Sequence, residues 1–246
     1  MCPHWYHFRI QRRPEVQLEE AYAAVRQLFD LDGTLVDSAP DLAMALNHML
    51  ERLGRETFET ETIRSWVGNG AQTLVKRGLS GSSVIDDDID PALFAKALDI
   101  FLDYYAKNLC VSTVTYPNVS ATLKRLKAKD YRLVLVTNKP YAFIHPLLEG
   151  LELTDLFELC LGGDSLAKRK PDPLPLLHVC ERLDVCASKC VMVGDSKNDI
   201  LAASAANMQS IGVSYGYNYG EEIGAYAPDS VVHDFNEILG LLGEAH

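Results

Sequence analysis

Three short apolar runs that end in polar clusters constrain the fold of this chain more than any other feature of its sequence. The runs cover residues 24–29, 133–136 and 190–193, and the polar clusters begin at Asp30, Thr137 and Gly194. Strands that are buried on both faces of a sheet have this continuous apolar character. Helical patterns at 140–148, 173–183 and 199–206 alternate with the runs, which predicts an α/β fold with a parallel sheet. Ligands bind beyond the carboxyl ends of such strands, where all three clusters fall.

Residues 38–112 have a different pattern and predict a helical insert. Apolar residues recur there at the spacing of one helical face, first after Pro40 and again over residues 94–105, without a β-branched run. The length of 246 residues permits a core with an inserted module. We therefore expect an α/β core formed by residues 22–37 and 113–246, a helical domain at 38–112 and an N-terminal extension at 1–21.

The charge balance disfavours nucleic-acid polymers as partners. The chain has 23 Lys and Arg residues against 34 Asp and Glu residues, a formal net charge of −11, whereas proteins that bind a phosphate backbone carry basic faces. No stretch approaches the roughly 18 consecutive apolar residues of a membrane span, and the first residues lack the order of a secretory signal. We therefore expect a cytoplasmic protein with no membrane partner; the sequence leaves its oligomeric state open.

Two carboxylates follow the first apolar run. Asp30 and Asp32 are two residues apart at a predicted strand end, so both side chains can point to the same side. Such a pair can divide the work of a nucleophile and an acid–base group. The alternative is an ordinary Asp-Gly turn at Gly33.

Polar residues also follow the second and third runs. The hydroxyl of Thr137 and the backbone at Asn138 could hold the oxygens of an anion. Lys170 belongs to a basic loop, which could equally be a solvated surface. Asp195 and Asp199 add hard oxygen donors of the kind that Mg²⁺ prefers.

Four segments in this order resemble the four motifs of the haloacid-dehalogenase (HAD) superfamily. They are DLDGT at 30–34, VTNK at 136–139, KPDP at 170–173 and GDSKND at 194–199. Two further segments, WVGNGA at 66–71 and YGYN at 215–218, resemble the bacterial phosphoglycolate phosphatases. The resemblance runs from about residue 24 to residue 240, and it implies a Rossmann-like core with a small helical cap inserted after the first motif.

The resemblance also implies roles for the residues at the sheet edge. Asp30 would be the nucleophile that forms an aspartyl-phosphate, and Asp32 would protonate the leaving alkoxide and then activate water. Thr137 and Lys170 would complete the catalytic group. The implied Mg²⁺ ligands are Asp30, the backbone carbonyl of Asp32, Asp195 and Asp199; the implied ligands of the phosphoryl oxygens are Thr137, Asn138 and Lys170.

The activity implied is Mg²⁺-dependent hydrolysis of a small phosphorylated metabolite, 2-phosphoglycolate, to glycolate and phosphate. Asp32 favours ester hydrolysis over dehalogenation, because an alkoxide leaving group needs a proton and a halide does not. Backbone N–H groups at Gly68, Asn69 and Gly70 could converge on the substrate carboxylate, with added charge from Arg64. The alternative for these glycines is a plain turn between two helices.

Other functions stay open on the sequence alone. The same chemistry could act on a sugar phosphate, a phosphorylated cell-wall sugar or pyrophosphate, or the protein could be a phosphomutase. A catalytically silent module that binds a phosphorylated ligand is the alternative from another class. The combination of Asp30, Asp32, Lys170 and Asp195 favours an enzyme, since binding alone does not need a nucleophile beside a proton donor.

Overall fold

A six-stranded parallel sheet forms the centre of the computed structural model, which describes residues 26–242. The predicted N-terminal extension at 1–21 lies outside the described residues. The strands are β1 (Arg26–Phe29), β2 (Val36–Asp37), β3 (Val114–Thr115), β4 (Arg132–Val136), β5 (Phe157–Leu161), β6 (Cys190–Gly194), β7 (Gln209–Val213) and β8 (Ser230–Val232). The helices are α1 (Ala39–Arg52), α2 (Thr60–Arg64), α3 (Ala71–Ser80), α4 (Pro91–Lys107), α5 (Val119–Ala128), α6 (Ile144–Gly150), α7 (Leu174–Arg182), α8 (Lys197–Ala205) and α9 (Glu237–Leu241).

The sheet has the strand order β5-β4-β1-β6-β7-β8, and all neighbouring strands are parallel. Side chains alternate between its two buried faces. Leu28 packs with its register partners Val134 and Met192 in one apolar cluster, whereas Phe29 packs with Leu135 in the other. Because helices cover both faces, the strands carry continuous apolar runs. The predicted α/β fold with a parallel sheet is therefore confirmed.

Helices α1 to α4 lie between β2 and β3, and we call them the insert. They surround a separate apolar cluster that contains Leu46, Met49, Val75 and Phe101. Strands β2 and β3 form a two-stranded antiparallel sheet, so the chain leaves the core and returns to it side by side. The covalent chain thus links the insert to the core at one narrow place.

Tyr217 makes hydrogen bonds to the residues at which the chain enters the insert. Its hydroxyl accepts hydrogen bonds from the backbone N–H groups of Ser38 (2.8 Å) and Ala39 (3.1 Å) and donates one to Asp37 Oδ1 (2.8 Å). Arg64 of α2 also donates to Asp37 Oδ1, at 2.6 Å. This connection therefore has its own hydrogen-bond network.

The three helices predicted around the sheet are present with shifted bounds. The first starts at Ile144, because a short 3₁₀ turn over Tyr141–Phe143 follows Pro140. The other two are α7 and α8. Within residues 26–242, none of the helices combines the length and the apolar character needed to cross a lipid bilayer.

A buried carboxylate holds the return segment of the insert. Asp41, in the first turn of α1, is almost fully buried. It accepts hydrogen bonds from the N–H groups of Val111, Ser112 and Thr113 at 2.8 to 2.9 Å and from the Thr113 hydroxyl at 2.6 Å. The start and the end of the insert are therefore joined by one side chain.

We expect Asp41→Ala to lower the free energy of unfolding by about 3 kcal/mol, because four donors lose their acceptor and three of them belong to the backbone. Urea denaturation followed by circular dichroism measures the change. Asp103→Ala is the matched control, since Asp103 makes only an exposed ion pair with Lys107 among the described contacts and should change stability by less than about 0.5 kcal/mol. Equal stability of the two variants would contradict this assignment.

Candidate active site

The carboxyl ends of three adjacent strands bring the predicted site residues together. Asp30 follows β1, Thr137 follows β4 and Asp195 follows β6, and β1 lies between the other two strands. Asp199 lies in the first turn of α8, which begins directly after β6. All four side chains are buried. The topology of the sheet therefore places polar groups from distant parts of the sequence at one edge.

Lys170 supplies an ammonium group to this edge from the loop between β5 and α7. Its Nζ lies 2.6 Å from Asp199 Oδ1 and 3.1 Å from Asp30 Oδ1, and it donates a hydrogen bond to the Val136 carbonyl at 2.5 Å. The side chain is 1% exposed. Although burial alone would lower its pKa, the charges of Asp199 and Asp30 raise it. Lys170 is therefore a buried cation between two carboxylates.

Asp30, Asp195 and Asp199 form a carboxylate cluster, with one oxygen of each within 4.8 Å of the others. Asp195 accepts hydrogen bonds from the Thr34 hydroxyl (2.8 Å) and the Tyr217 N–H (2.8 Å). Asp199 accepts two from Ser196 and so closes the capping box of α8. These bonds fix the direction of each carboxylate.

Two glycines make room for Asp195. A Cβ atom at Gly33, which has a φ of +87°, or at Gly216 would collide with the Asp195 side chain. Both positions therefore need glycine, because the backbone approaches the carboxylate closely. The glycines of the DLDGT and YGYN segments thus shape the carboxylate cluster.

The carboxylate cluster is electrostatically incomplete. Burial, with Lys170 opposing it, raises the pKa of Asp30 to about 6, and burial together with Asp199 and Asp30 raises the pKa of Asp195 to about 8. When all three carboxylates are ionised, Lys170 leaves a net charge of −2. Clustered carboxylate oxygens with this charge are suited to a hard divalent cation. The donor set therefore fits a metal ion of this class.

Asp32 lies apart from the carboxylate cluster and has its own cation. Its Oδ1 accepts a hydrogen bond from the Ser38 hydroxyl at 2.5 Å. Lys139 Nζ lies 3.0 and 3.2 Å from its two oxygens and also donates to the Tyr105 hydroxyl at 2.7 Å. Asp30 and Asp32 thus lie in different electrostatic surroundings, each beside its own buried lysine.

A cavity of about 30 Å³ separates the sheet edge from the insert. Asp30, Asp32, Thr137, Asn138 and Lys139 line its core side. This volume holds about two water molecules, which is less than the space that a phosphorylated ligand occupies. The apolar side chains of the insert that line the cavity are Leu42, Val67, Ala71, Leu74 and Phe101.

The residues predicted to contact the leaving group divide into two sets. Gly68 and Gly70 line the cavity, and a Cβ at Gly70 would lie 2.9 Å from the Asn138 carbonyl oxygen. Asn69 lines a different, polar pocket, and Arg64 contacts Asp37 and Glu61. Among the described residues, the structure therefore brings the two glycines to the cavity and leaves Asn69 and Arg64 outside it.

Asn138 fastens the glycine turn to the core. Its Nδ2 donates to the Gly68 carbonyl (3.1 Å) and to the Lys170 carbonyl (3.0 Å), and Asn198 Nδ2 also donates to Gly68 (3.2 Å). The Asn138 Oδ1 atom is buried and has no hydrogen-bond partner within the described part of the chain. It therefore remains available as an acceptor at the edge of the cavity.

Sequence reasoning missed two residues of this site, Lys139 and Tyr105. Lys139 stands inside the VTNK segment, directly after two polar residues at a strand end, so its position was a usable signal. Tyr105 belongs to an apolar helical stripe and carries no such signal, because packing explains that pattern equally well. Only the three-dimensional contact identifies it.

The sequence of the chain matches known proteins. A family profile described as haloacid dehalogenase-like hydrolase matches residues 27–213. The phosphoglycolate phosphatase of Colwellia psychrerythraea is 55% identical over 212 residues, which cover 86% of this chain and 94% of that protein. The phosphoglycolate phosphatase of Psychrobacter arcticus is 47% identical over 220 residues, with coverage of 89% and 96%.

A solved structure has the same fold. The crystal structure of a predicted phosphoglycolate phosphatase from Haemophilus somnus superposes with a TM-score of 0.83 at 36% identity, and the match covers 89% of this chain and 98% of that one. The similarity therefore includes the sheet and the insert together.

When a chelator removes divalent cations, we expect the thermal stability of the protein to fall as the pH rises from about 4 to about 8. The pKa values of Asp30 and Asp195 are raised from 3.8 to about 6 and about 8, so the folded state binds more protons than the unfolded state in this interval. The free energy of unfolding then falls by up to about 1.4 kcal/mol per pH unit for each carboxyl that titrates. Thermal melts at several pH values measure the fall.

Saturating Mg²⁺ should restore the stability, and most strongly at the upper end of this range, where protons no longer compete for the carboxylates. Asp195→Asn is the control, since it removes the carboxyl with the higher pKa and should flatten the chelated protein's pH dependence above about pH 6. A chelated wild-type protein with constant stability over this range would show that the carboxylates are not electrostatically strained.

Proposed function

The chain belongs to the haloacid dehalogenase-like hydrolases, and we propose that within this family it is a Mg²⁺-dependent phosphatase that converts 2-phosphoglycolate to glycolate and phosphate. Relatives named phosphoglycolate phosphatase, 42 to 55% identical, support the substrate. The observation that carries the chemistry is the placement of Asp30 beside a buried ammonium and of Asp32 on the same cavity.

Asp30 is the nucleophile in this proposal. Its Oδ1 accepts a hydrogen bond from the Leu31 N–H at 2.7 Å and lies 3.1 Å from Lys170 Nζ, which leaves Oδ2 to attack phosphorus. The bond between phosphorus and the glycolate oxygen then breaks, and an aspartyl-phosphate forms. The backbone N–H of Asp30 donates to the Val193 carbonyl, so the sheet holds the nucleophile in place.

Asp32 serves as the acid and then as the base. In the first step its carboxyl proton passes to the leaving glycolate alkoxide, which is too basic to depart unprotonated. In the second step the Asp32 carboxylate takes a proton from water as the water oxygen attacks phosphorus. Phosphate leaves, Asp30 is regenerated as a carboxylate, and Asp32 is again protonated.

The carboxylate cluster is the proposed magnesium site. Asp30, Asp195 and the backbone carbonyl of Asp32 would hold the ion. Asp199 would support its water shell, in keeping with the use of both Asp199 oxygens by Lys170 and Ser196. When bound, Mg²⁺ supplies the positive charge that lets a carboxylate approach a dianionic phosphoryl group.

Thr137, Asn138 and Lys170 are the proposed ligands of the phosphoryl oxygens. Thr137 and Asn138 line the cavity directly; Thr137 would donate its hydroxyl and Asn138 its backbone N–H, because both side-chain N–H groups of Asn138 already donate to the Gly68 and Lys170 carbonyls. The three N–H groups of Lys170 already face Asp199, Asp30 and the Val136 carbonyl. Its contact with phosphate would therefore replace the longest of these, the 3.1 Å contact with Asp30.

The insert limits the size of the leaving group. Its wall of the cavity is mostly apolar and close to the sheet edge, which suits a group as small as glycolate better than a sugar. We propose that the backbone at Gly68 and Gly70 contacts the glycolate carboxylate. Asn69 and Arg64, which lie outside the cavity, would contribute to this indirectly through the position of the insert.

Asp30→Asn should abolish turnover of 2-phosphoglycolate, with a loss of at least about a thousandfold in kcat, because an amide cannot form the phosphoenzyme. A phosphate-release assay measures the loss. Asp99→Asn, an exposed change on α4, is the matched control and should retain full activity. An active Asp30→Asn protein would rule out the nucleophile.

A panel of substrates with and without Mg²⁺ tests the substrate and the metal together. We expect kcat/KM for 2-phosphoglycolate to exceed that for hexose phosphates and pyrophosphate by at least about a hundredfold, because the apolar wall of the insert leaves the polar groups of these substrates without hydrogen-bond partners. Excess EDTA should remove the activity, and added Mg²⁺ should restore it. Full turnover in EDTA would contradict the metal requirement, and a preference for a sugar phosphate would contradict the substrate.

A further inference from the structure

Lys139 is the one lysine or arginine among the described residues that line the cavity. We propose that Lys139 and Tyr105 form a positioning pair that orients Asp32 for proton transfer only while the insert is seated on the core. This inference rests on the proposed function, since that function gives Asp32 its acid–base role.

The contacts of Lys139 leave its ammonium group no freedom. Its side chain is 2% exposed, and its Nζ faces both oxygens of Asp32 and the hydroxyl of Tyr105. An ammonium group has three N–H donors, and these three acceptors use them all. Burying such a charge is costly unless it is paired. Lys139 therefore holds Asp32 in one position relative to Tyr105.

Ser38 completes the restraint on Asp32 from the other side. Its hydroxyl donates to Asp32 Oδ1 at 2.5 Å, while Lys139 contacts both oxygens. Ser38 precedes α1 at the connection between core and insert. The direction of the Asp32 carboxyl is thus set by groups that depend on the placement of the insert as well as on the sheet.

Tyr105 belongs to the insert, whereas Lys139 and Asp32 belong to the core. The Tyr105 ring is 1% exposed. It stacks on Phe101 of the same helix (5.9 Å between centroids) and meets the edge of Phe143, which follows β4 (5.1 Å). Any displacement of the insert that opens the cavity to substrate would separate the Tyr105 hydroxyl from Lys139. The restraint on Asp32 is therefore complete only in the closed arrangement.

The need for an oriented acid depends on the leaving group. An alkoxide such as glycolate or ethoxide must be protonated as it departs, whereas 4-nitrophenoxide departs readily without a proton. Loss of orientation should therefore lower kcat for alkyl phosphates much more than for an aryl phosphate. A purely structural role of Lys139 or Tyr105 would lower all of them alike.

Steady-state kinetics of Tyr105→Phe and Lys139→Met on 2-phosphoglycolate, ethyl phosphate and 4-nitrophenyl phosphate test the pair. We expect kcat for both alkyl phosphates to fall about tenfold in Tyr105→Phe and about a hundredfold in Lys139→Met, and kcat for the aryl phosphate to fall less than about threefold. The Tyr105→Phe variant keeps the ring and its packing, so it tests the hydroxyl contact alone.

Two variants calibrate the result. Asp32→Asn should show the same dependence on the leaving group with a larger loss. Tyr104→Phe is the matched control, because Tyr104 is next to Tyr105 on α4 but lines a different pocket, where it stacks on His48. It should keep wild-type kcat on all three substrates.

Three outcomes would overturn the positioning pair. These are equal losses on all three substrates, no loss on any, or a rise confined to KM for 2-phosphoglycolate, which would make Lys139 a ligand of the substrate carboxylate. A wild-type enzyme that hydrolyses ethyl phosphate but not 2-phosphoglycolate would contradict the proposed substrate instead, and the comparison of ethyl with aryl phosphate would still decide the role of the pair. A wild-type protein inactive on all three substrates would contradict both.

Discussion

Three buried carboxylates share a single buried ammonium group, and the rest of the sheet edge depends on this imbalance. Asp30, Asp195 and Asp199 cannot all be ionised in apolar surroundings unless positive charge is supplied, and Lys170 supplies only one unit. The shortfall makes this carboxylate cluster suited to a hard divalent cation. The parallel sheet creates the imbalance, because β1 ends between β4 and β6 and a loop from beyond β5 reaches the same edge.

The local pattern of apolar residues in the sequence predicts those strands that are buried on both faces of the sheet. Strands β1, β4 and β6 lie at the centre of the sheet and are covered on both faces, so their apolar runs are visible in the sequence. Strands β5 and β8 lie at the edges. Their side chains are largely half-exposed, and β8 has only three residues, so no continuous run marks them. The bounds of α6 shifted for a local reason, since the backbone after Pro140 first forms a 3₁₀ turn.

The site likewise has a part that the sequence predicts and a part that it does not. The motif segments fix which residues lie at the strand ends, and Asp30, Asp32, Thr137, Lys170 and Asp195 indeed meet there. Contacts across the cavity could not be predicted, because they depend on how the insert is seated and not on spacing along the chain. The Lys139–Tyr105 contact joins residues 34 positions apart, and Arg64 contacts Asp37 at the connection instead of reaching the cavity.

Tyr217 makes hydrogen bonds in two separate parts of the molecule, the carboxylate cluster and the start of the insert. Its backbone N–H holds Asp195, while its hydroxyl holds the backbone at Ser38 and Ala39. A displacement of this tyrosine would therefore change its contact with Asp195 and its contacts with Ser38 and Ala39. Because one residue makes both sets of contacts, the seating of the insert and the direction of the Asp195 carboxylate are coupled at Tyr217.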